Sequence, residues 1–149
     1  CDTFRNPIEG EDFGAIVIRF KNGAIGIVEG SAVVYPKNLE ETLSIFGTDG
    51  TVVIGGLAVN ELKTWRFEGA DEEAVKKDLQ VEIDSVYGKG HTPLFRDVIE
   101  AINEDRKPYV SGEDAIVPLS IILAAYKSRK TGMPVNFPFN NFSSSDMKK

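Results

Sequence analysis

The sequence predicts an α+β domain: a largely antiparallel open sheet with two consecutive helices packed on one face. Three observations predict it. The first half of the chain contains short runs of β-branched and aromatic residues separated by glycine-containing turns. The second half contains two stretches whose apolar residues recur at helical spacing. Strands that come first and helices that follow, without alternation, are typical of an antiparallel or mixed sheet.

The predicted strands cover residues 15–20, 24–34, 41–46, 51–54, 57–67 and 79–83. Asn22-Gly23 between the first two predicts a hairpin with a type I′ turn, which needs positive φ at both central positions. Ile16 and Ile18 share one face of the first strand, while Ala15 and Val17 share the other. Both faces are apolar, so we expect the sheet to be covered on both sides. The polar stretch 71–78 is expected to be a solvated loop or one short helical turn.

The first predicted helix begins with Thr92 as N-cap and Pro93 at the first helical position. Its apolar stripe predicts contact with a core and consists of Phe95, Val98, Ile99 and Ile102.

The second predicted helix begins at Ser111, with Asp114 at capping-box spacing, and ends at Gly132. Its apolar stripe consists of Ala115, Leu119, Ile122, Leu123 and Tyr126. Both helices are one-sided, so each needs a sheet to lie on.

Composition narrows the function classes. A chain of 149 residues is expected to form one domain. Its 17 basic and 23 acidic side chains give a net charge of −6, which argues against nucleic acid or an anionic membrane as a partner. Cys1 is the single cysteine and has no internal disulfide partner, so we expect a cytoplasmic protein. One histidine, one cysteine and scattered carboxylates show no metal-ligand spacing. Without an initiator methionine, the sequence is expected to be a fragment of a longer protein.

Two places carry candidate chemistry. His91 is the single histidine and lies near a predicted helix start, where it either packs at a strand–helix junction or acts as an acid, base or anion contact. The stretch from Val34 to Glu41 is either a plain connecting loop or a sugar or phosphate contact. The stretch contains the aromatic ring of Tyr35, the ammonium of Lys37 and the amide of Asn38. These groups suit contact with a sugar or a phosphate. Tyr126 and Lys130 have the spacing of a dehydrogenase pair, but Tyr126 completes an apolar stripe and no glycine-rich nucleotide loop follows an early strand.

Two segments resemble one known family. The order GH, helix, RKP, SGED, helix, YKS, TG, PV over residues 90–135 is similar to the end of the Gfo/Idh/MocA nicotinamide-dependent oxidoreductases. Residues 35–41 (YPKNLEE), followed by IFGTDGTVVIGGLAVNELKTWRF, resemble members that oxidise the 3-hydroxyl of a UDP-linked N-acetylglucosamine-type sugar or its uronic acid. The resemblance covers residues 14–138 but only the second domain of the family.

The resemblance implies that residues 1–138 form a substrate and oligomerisation domain, followed by a polar, frayed tail at 139–149. In the intact enzyme a sugar hydroxyl would be oxidised by hydride transfer to NAD or NADP, held mainly by an N-terminal Rossmann domain that this sequence lacks. The expected partners are a sugar or nucleotide sugar and a second copy of the chain through the open sheet face. The expected substrate-binding residues are Tyr35, Lys37, Asn38 and His91.

The catalytic residues of the family have no counterpart here. The sequence lacks the Glu-Lys-Pro that carries the catalytic lysine, since Arg106-Lys107-Pro108 lies in a turn between helices. It also lacks the Asp-x-x-x-His helix, and His91 does not replace that histidine. The chain alone is therefore predicted to be inactive and to bind no cofactor and no metal. The alternative function is a non-catalytic, sheet-mediated dimerisation or ligand-binding module.

Overall fold

The structure is a computed structural model that describes residues 1–79, 82–83, 87–140 and 142–147. Its elements are β1 Phe13–Arg19, β2 Ile25–Ser31, β3 Leu43–Phe46, β4 Gly50–Gly55, β5 Glu61–Phe67, α1 Glu72–Leu79, α2 His91–Asn103, α3 Gly112–Thr131 and a short 3-10 helix Ser144–Met147. The predicted α+β class with open antiparallel pairing is confirmed, but the described strands form two small sheets where one was predicted, and the described part has three α-helices where two were predicted. The chain divides into two compact units: Cys1–Val34 with Val110–Lys149, and Tyr35–Tyr109.

The first unit contains the hairpin β1–β2. Its turn is closed by two backbone hydrogen bonds, from Phe20 N–H to Ala24 O at 2.9 Å and from Gly23 N–H to Phe20 O at 3.0 Å. Gly23 has a φ of 93°, whereas Asn22 is not among the residues with positive φ. The hairpin prediction is confirmed, but the type I′ turn is wrong. The connection is a three-residue loop that ends in a left-handed glycine, another common hairpin geometry.

The two faces of this hairpin differ in exposure. Val17 pairs with Ile27 and Arg19 with Ile25, so these side chains share one face. Val17, Ile25 and Ile27 are 76%, 70% and 77% exposed. On the opposite face Val28 lines a cleft together with residues of α3. Within the described residues of this single chain, one apolar face of the hairpin is therefore open, and its cover by a second copy stays a prediction.

The second unit contains the antiparallel sheet β3–β4–β5. Gly47 N–H donates to Gly50 O at 2.9 Å and closes the turn between β3 and β4. The register of β4 and β5 shifts in mid-strand: Val53 pairs with Thr64, but Ile54 pairs with Leu62. Lys63 is therefore an extra residue in a β-bulge, a feature that redirects a side chain away from the regular alternation.

Helix α1 was not expected to be this long. The sequence predicted a loop or a single turn at 71–78, but residues 72–79 form a helix. The Asp71 carboxylate accepts the Ala74 N–H at 3.1 Å, and Lys76 pairs with Glu72 one turn away at 2.8 Å. The predicted strand at 79–83 is wrong at Leu79, which ends α1, and residues 80 and 81 lie outside the described part.

Helix α2 starts two residues earlier than predicted. Gly90, not Thr92, is the N-cap, because Gly90 O already accepts the Leu94 N–H at 3.4 Å. The apolar stripe predicted for α2 is mostly exposed, including Phe95 and Ile102, whereas Ala101 is buried. Helix α2 thus buries the small residue Ala101 and not the large apolar residues of the predicted stripe.

Helix α3 has the predicted ends. The Ser111 hydroxyl accepts the Asp114 N–H at 3.3 Å, and the Asp114 carboxylate accepts the Ser111 N–H at 3.0 Å, which completes the capping box. Gly132 adopts a left-handed φ of 68° and donates its N–H to Ser128 O at 2.8 Å. The tail is not simply frayed, since Lys130 Nζ donates to Asp146 O at 3.1 Å.

Candidate substrate-binding loop

The loop of residues 35–42 begins the second unit and precedes β3, and it carries three of the four predicted site residues. Tyr35, Lys37 and Asn38 are all exposed, the Tyr35 side chain at 79%. The Tyr35–Pro36 peptide bond is cis. The loop therefore presents an aromatic ring, an ammonium group and an amide to solvent within four consecutive residues.

The far end of this loop is attached to the three-stranded sheet. Glu41 N–H donates to Gly56 O at 2.9 Å. The Glu40 carboxylate accepts a hydrogen bond from the Lys63 ammonium and forms an ion pair with it. This hydrogen bond, reinforced by charge attraction, lowers the pKa of Glu40 and raises the pKa of Lys63. Both groups are consequently charged at neutral pH, as the pairing requires.

Two consecutive glycines make room for this attachment. A Cβ on Gly55 would lie 2.5 Å from Lys63 Cε and 2.7 Å from Lys63 Nζ. Gly56 has a φ of 94°, a left-handed conformation that favours glycine, and a Cβ there would lie 2.6 Å from Asn60 Oδ1. A side chain at position 55 would therefore displace the end of the Lys63 side chain from its present path toward Glu40.

His91, the fourth predicted residue, is the exposed first residue of α2 in the same unit. Among the residues that the structure describes, no hydrogen bond or ion pair joins His91 to Lys37 or Asn38. The structure thus groups three predicted residues on one loop and places the fourth at a helix start. Their roles as substrate contacts remain predictions.

Glu40 and Lys63 were missed by sequence reasoning. The signal for this attachment in the sequence is the Gly55-Gly56 pair, which by itself predicts only the break between the strands at 51–54 and 57–67.

A cleft of about 390 Å³ lies in the first unit, between the hairpin and α3. Here the Tyr126 hydroxyl donates a hydrogen bond to the Glu11 carboxylate. Burial, together with this hydrogen bond, raises the pKa of Tyr126 to about 12. Lys130 does not join this pair but donates to Asp146 O. A catalytic tyrosine base needs a lowered pKa and a nearby cation, so the structure argues against a Tyr-x-x-x-Lys dehydrogenase pair.

Within the described ranges, no group of three histidine, cysteine or acidic residues is arranged to hold a metal ion. The described helices include none that is long and apolar enough to cross a membrane.

Comparison with known proteins gives a consistent result. Residues 2–137 match the model of the C-terminal alpha/beta domain of the Gfo/Idh/MocA oxidoreductase family. The WlbA dehydrogenase from Bordetella pertussis, solved in complex with NADH and UDP-GlcNAcA, is 32% identical with a TM-score of 0.84, over 93% of this chain and 40% of that one. The WlbA dehydrogenase from Chromobacterium violaceum, solved with the same two molecules, is 30% identical with a TM-score of 0.79, over 94% of this chain and 39% of that one.

A curated relative is scyllo-inositol 2-dehydrogenase (NAD(+)) from Bacillus subtilis (strain 168), 27% identical over 118 residues, which are 79% of this chain and 33% of that enzyme. The chain thus spans well under half the length of the relatives it matches. Because the family model covers nearly all of it, the chain belongs to the Gfo/Idh/MocA oxidoreductase family, as its C-terminal alpha/beta domain.

Proposed function

We propose that this chain is the substrate-binding and assembly domain of a nicotinamide-dependent sugar or nucleotide-sugar dehydrogenase. The observation that carries the proposal is the likeness, with a TM-score of 0.84 over 93% of the chain, to a dehydrogenase in complex with NADH and UDP-GlcNAcA. The inositol dehydrogenase relative supports polyol or sugar chemistry more broadly. A UDP-linked sugar acid is the substrate that we propose to test first.

The loop of residues 35–42 has the chemistry that such a substrate needs. The Lys37 ammonium is a compact cation suited to a phosphate or carboxylate. The Asn38 amide both donates and accepts, so it matches sugar hydroxyls. The largely exposed Tyr35 ring offers an apolar surface with a polar end to a sugar or base. His91, at the first turn of α2, is proposed as a fourth contact, where helix N–H groups favour an anion.

The residues of this chain do not fit the nicotinamide cofactor itself. The sequence has no glycine-rich dinucleotide fingerprint. The named strands pair antiparallel, whereas that fingerprint belongs to a parallel strand–helix–strand unit. We therefore propose that NAD or NADP would be held by another part of the enzyme, where it would supply the hydride acceptor. The part of this chain is to bind and orient the sugar.

The second proposed role is self-association through the hairpin. The exposed face of Val17, Ile25 and Ile27 is contiguous across two strands, and contiguous apolar patches usually mark contacts. A second copy could cover it by a two-fold contact in which each subunit presents the same face. We infer a homo-oligomer whose interface includes this surface.

The substrate-binding proposal is tested with Lys37→Ala in the protein in its natural full length. Loss of one charge-assisted hydrogen bond, worth about 1.5–3 kcal/mol, should weaken binding of UDP-GlcNAcA by at least roughly tenfold in calorimetry. Lys107→Ala is the matched control, because Lys107 is an exposed loop lysine of the same unit but lies between α2 and α3. Equal affinities of both variants and wild type would remove Lys37 from the site.

A non-catalytic association module is the second candidate, since the open hairpin face needs no substrate to form a contact. Reduction of NAD by the full-length protein in the presence of UDP-GlcNAcA or a free polyol separates the two. A protein that self-associates but neither binds nor oxidises these compounds would support the module.

A further inference from the structure

The β-bulge in β5 brings Lys63 into contact with the loop of residues 35–42. This contact gives a reason for the irregular pairing of β4 and β5 at that point. The register shift makes Lys63 the extra residue between Leu62 and Thr64. Bulges redirect side chains, and they are frequent next to binding sites. Here the redirected ammonium forms the ion pair with Glu40, two residues after Asn38 in the loop.

The neighbouring strand end is shaped for the same attachment. Gly55 leaves space that the Lys63 stem occupies, since any Cβ there would come within 2.5 Å of Lys63 Cε. Gly56 O accepts the Glu41 N–H at 2.9 Å. The bulge, the glycine pair and two successive loop residues thus form one device, which we name the loop anchor: Glu40, Glu41, Gly55, Gly56 and Lys63.

We infer that the loop anchor holds residues 35–38 in the conformation that presents Tyr35, Lys37 and Asn38 to the substrate. Lys63 and Glu40 are positioning residues, because they act through the loop and not on the reacting atoms. This inference rests on the proposed function of the loop. Its physical basis is preorganisation. When the loop has the binding conformation in only a fraction of the free protein, the apparent affinity for the ligand is reduced by that fraction.

Two substitutions break the anchor in different ways. Lys63→Ala removes the cation, whereas Gly55→Ala retains both charges but places a methyl group where the lysine stem lies. In the Lys63→Ala background, the three atoms that this methyl group would approach most closely are gone. We therefore expect the variant with both Lys63→Ala and Gly55→Ala to behave as Lys63→Ala alone. If Gly55→Ala acted only by local strain at position 55, the effects of the two substitutions would add.

The first measurement is hydrogen exchange of the ligand-free, full-length protein. Both single variants should speed exchange of the Glu41 amide and its neighbours by roughly three- to fivefold, the size expected for an exposed ion pair. Lys76→Ala is the matched control, since it breaks the Lys76–Glu72 pair of the same unit without touching the loop. Unchanged exchange in both anchor variants would overturn the inference.

The second measurement is steady-state kinetics with UDP-GlcNAcA. Both anchor variants should raise KM by roughly three- to fivefold at nearly constant kcat, because loop ordering affects substrate and transition state alike. Faster loop exchange with an unchanged KM would overturn the link to binding, as would an equal rise in KM for Lys76→Ala. A wild-type protein that neither binds nor oxidises UDP-GlcNAcA would exclude this compound as the substrate, and the exchange measurement would still decide whether the anchor exists.

Discussion

The segment before β1 and the loop before β3 are both irregular stretches beside a sheet, but they are held in opposite ways. In the first, the Asp12 carboxylate is buried and accepts three backbone N–H groups, from Phe4 and Arg5 at 2.7 Å and from Asn6 at 2.9 Å. In the second, the side chains of Glu40 and Lys63 remain 39% and 40% exposed and form a single ion pair.

The difference is that the Asp12 hydrogen bonds fix their segment, whereas the Glu40–Lys63 ion pair leaves its loop adjustable. A buried carboxylate with several N–H partners cannot be released without leaving charge and donors unsatisfied, so the segment it holds is fixed. An exposed ion pair is worth little in water and is weakened by salt, so its loop can shift at small cost. A loop that must accept and release a ligand needs the second kind of attachment.

The largest expected effect comes from Asp12→Ala. It leaves the part-buried N–H groups of residues 4–6 without their acceptor, and should lower the Tm by several degrees. Thermal unfolding followed by circular dichroism measures this. Glu9→Ala, at an exposed position of the same segment, is the control and should change the Tm little. Equal Tm values for both variants would show that the Asp12 contacts contribute nothing.

The Asp12 carboxylate should also make the stability of the folded protein depend on pH. Hydrogen bonds from backbone N–H groups, that of Asn6 first, lower the pKa of Asp12 in the folded state. A lowered pKa stabilises the folded protein fully above the unfolded-state value of about 3.9, and that stabilisation is lost as pH falls through the folded value. The Tm difference between wild type and Asp12→Ala should therefore be constant near neutrality and shrink below about pH 4. A difference that grows in acid would contradict the assignment.

The contrast between the two attachments also shows what a sequence can reveal. The Ser111 capping box and the Gly132 stop are predictable because each involves residues within one helical turn. The Asp12 contacts depend on the path of a whole loop, and the Lys63 bulge depends on a register that the alternation of side chains does not encode. The loop residues Tyr35, Lys37 and Asn38 were proposed from their chemistry, but the anchor that holds them needed the strand pairing.

A third prediction concerns the open face of the hairpin. Val17→Glu places a charge opposite Ile27 at the centre of this face, where a proposed contact with a second copy would bury it. Self-association at tens of micromolar should be lost, with the fold intact. Val28 is the wrong target, because it lines the cleft beside α3.

Light scattering or sedimentation measures the mass, and circular dichroism confirms the fold of the variant. Thr48→Glu adds the same charge at an exposed turn of the other sheet and should leave the mass unchanged. A wild-type protein that is already monomeric, or a Val17→Glu variant that still associates, would exclude this face as the interface.

The smallest expected effect on stability is that of Lys63→Ala, and it completes the comparison with Asp12. Because the ion pair is exposed, and the Glu40 carboxylate that loses its partner can be hydrated, the Tm should remain close to that of wild type. Thermal unfolding at low and high salt measures this, and added salt should bring the wild type still closer to the variant. A loss in Tm as large as that of Asp12→Ala would mean that the loop is fixed as firmly as the N-terminal segment. The loop could then not serve as the adjustable element that ligand binding requires.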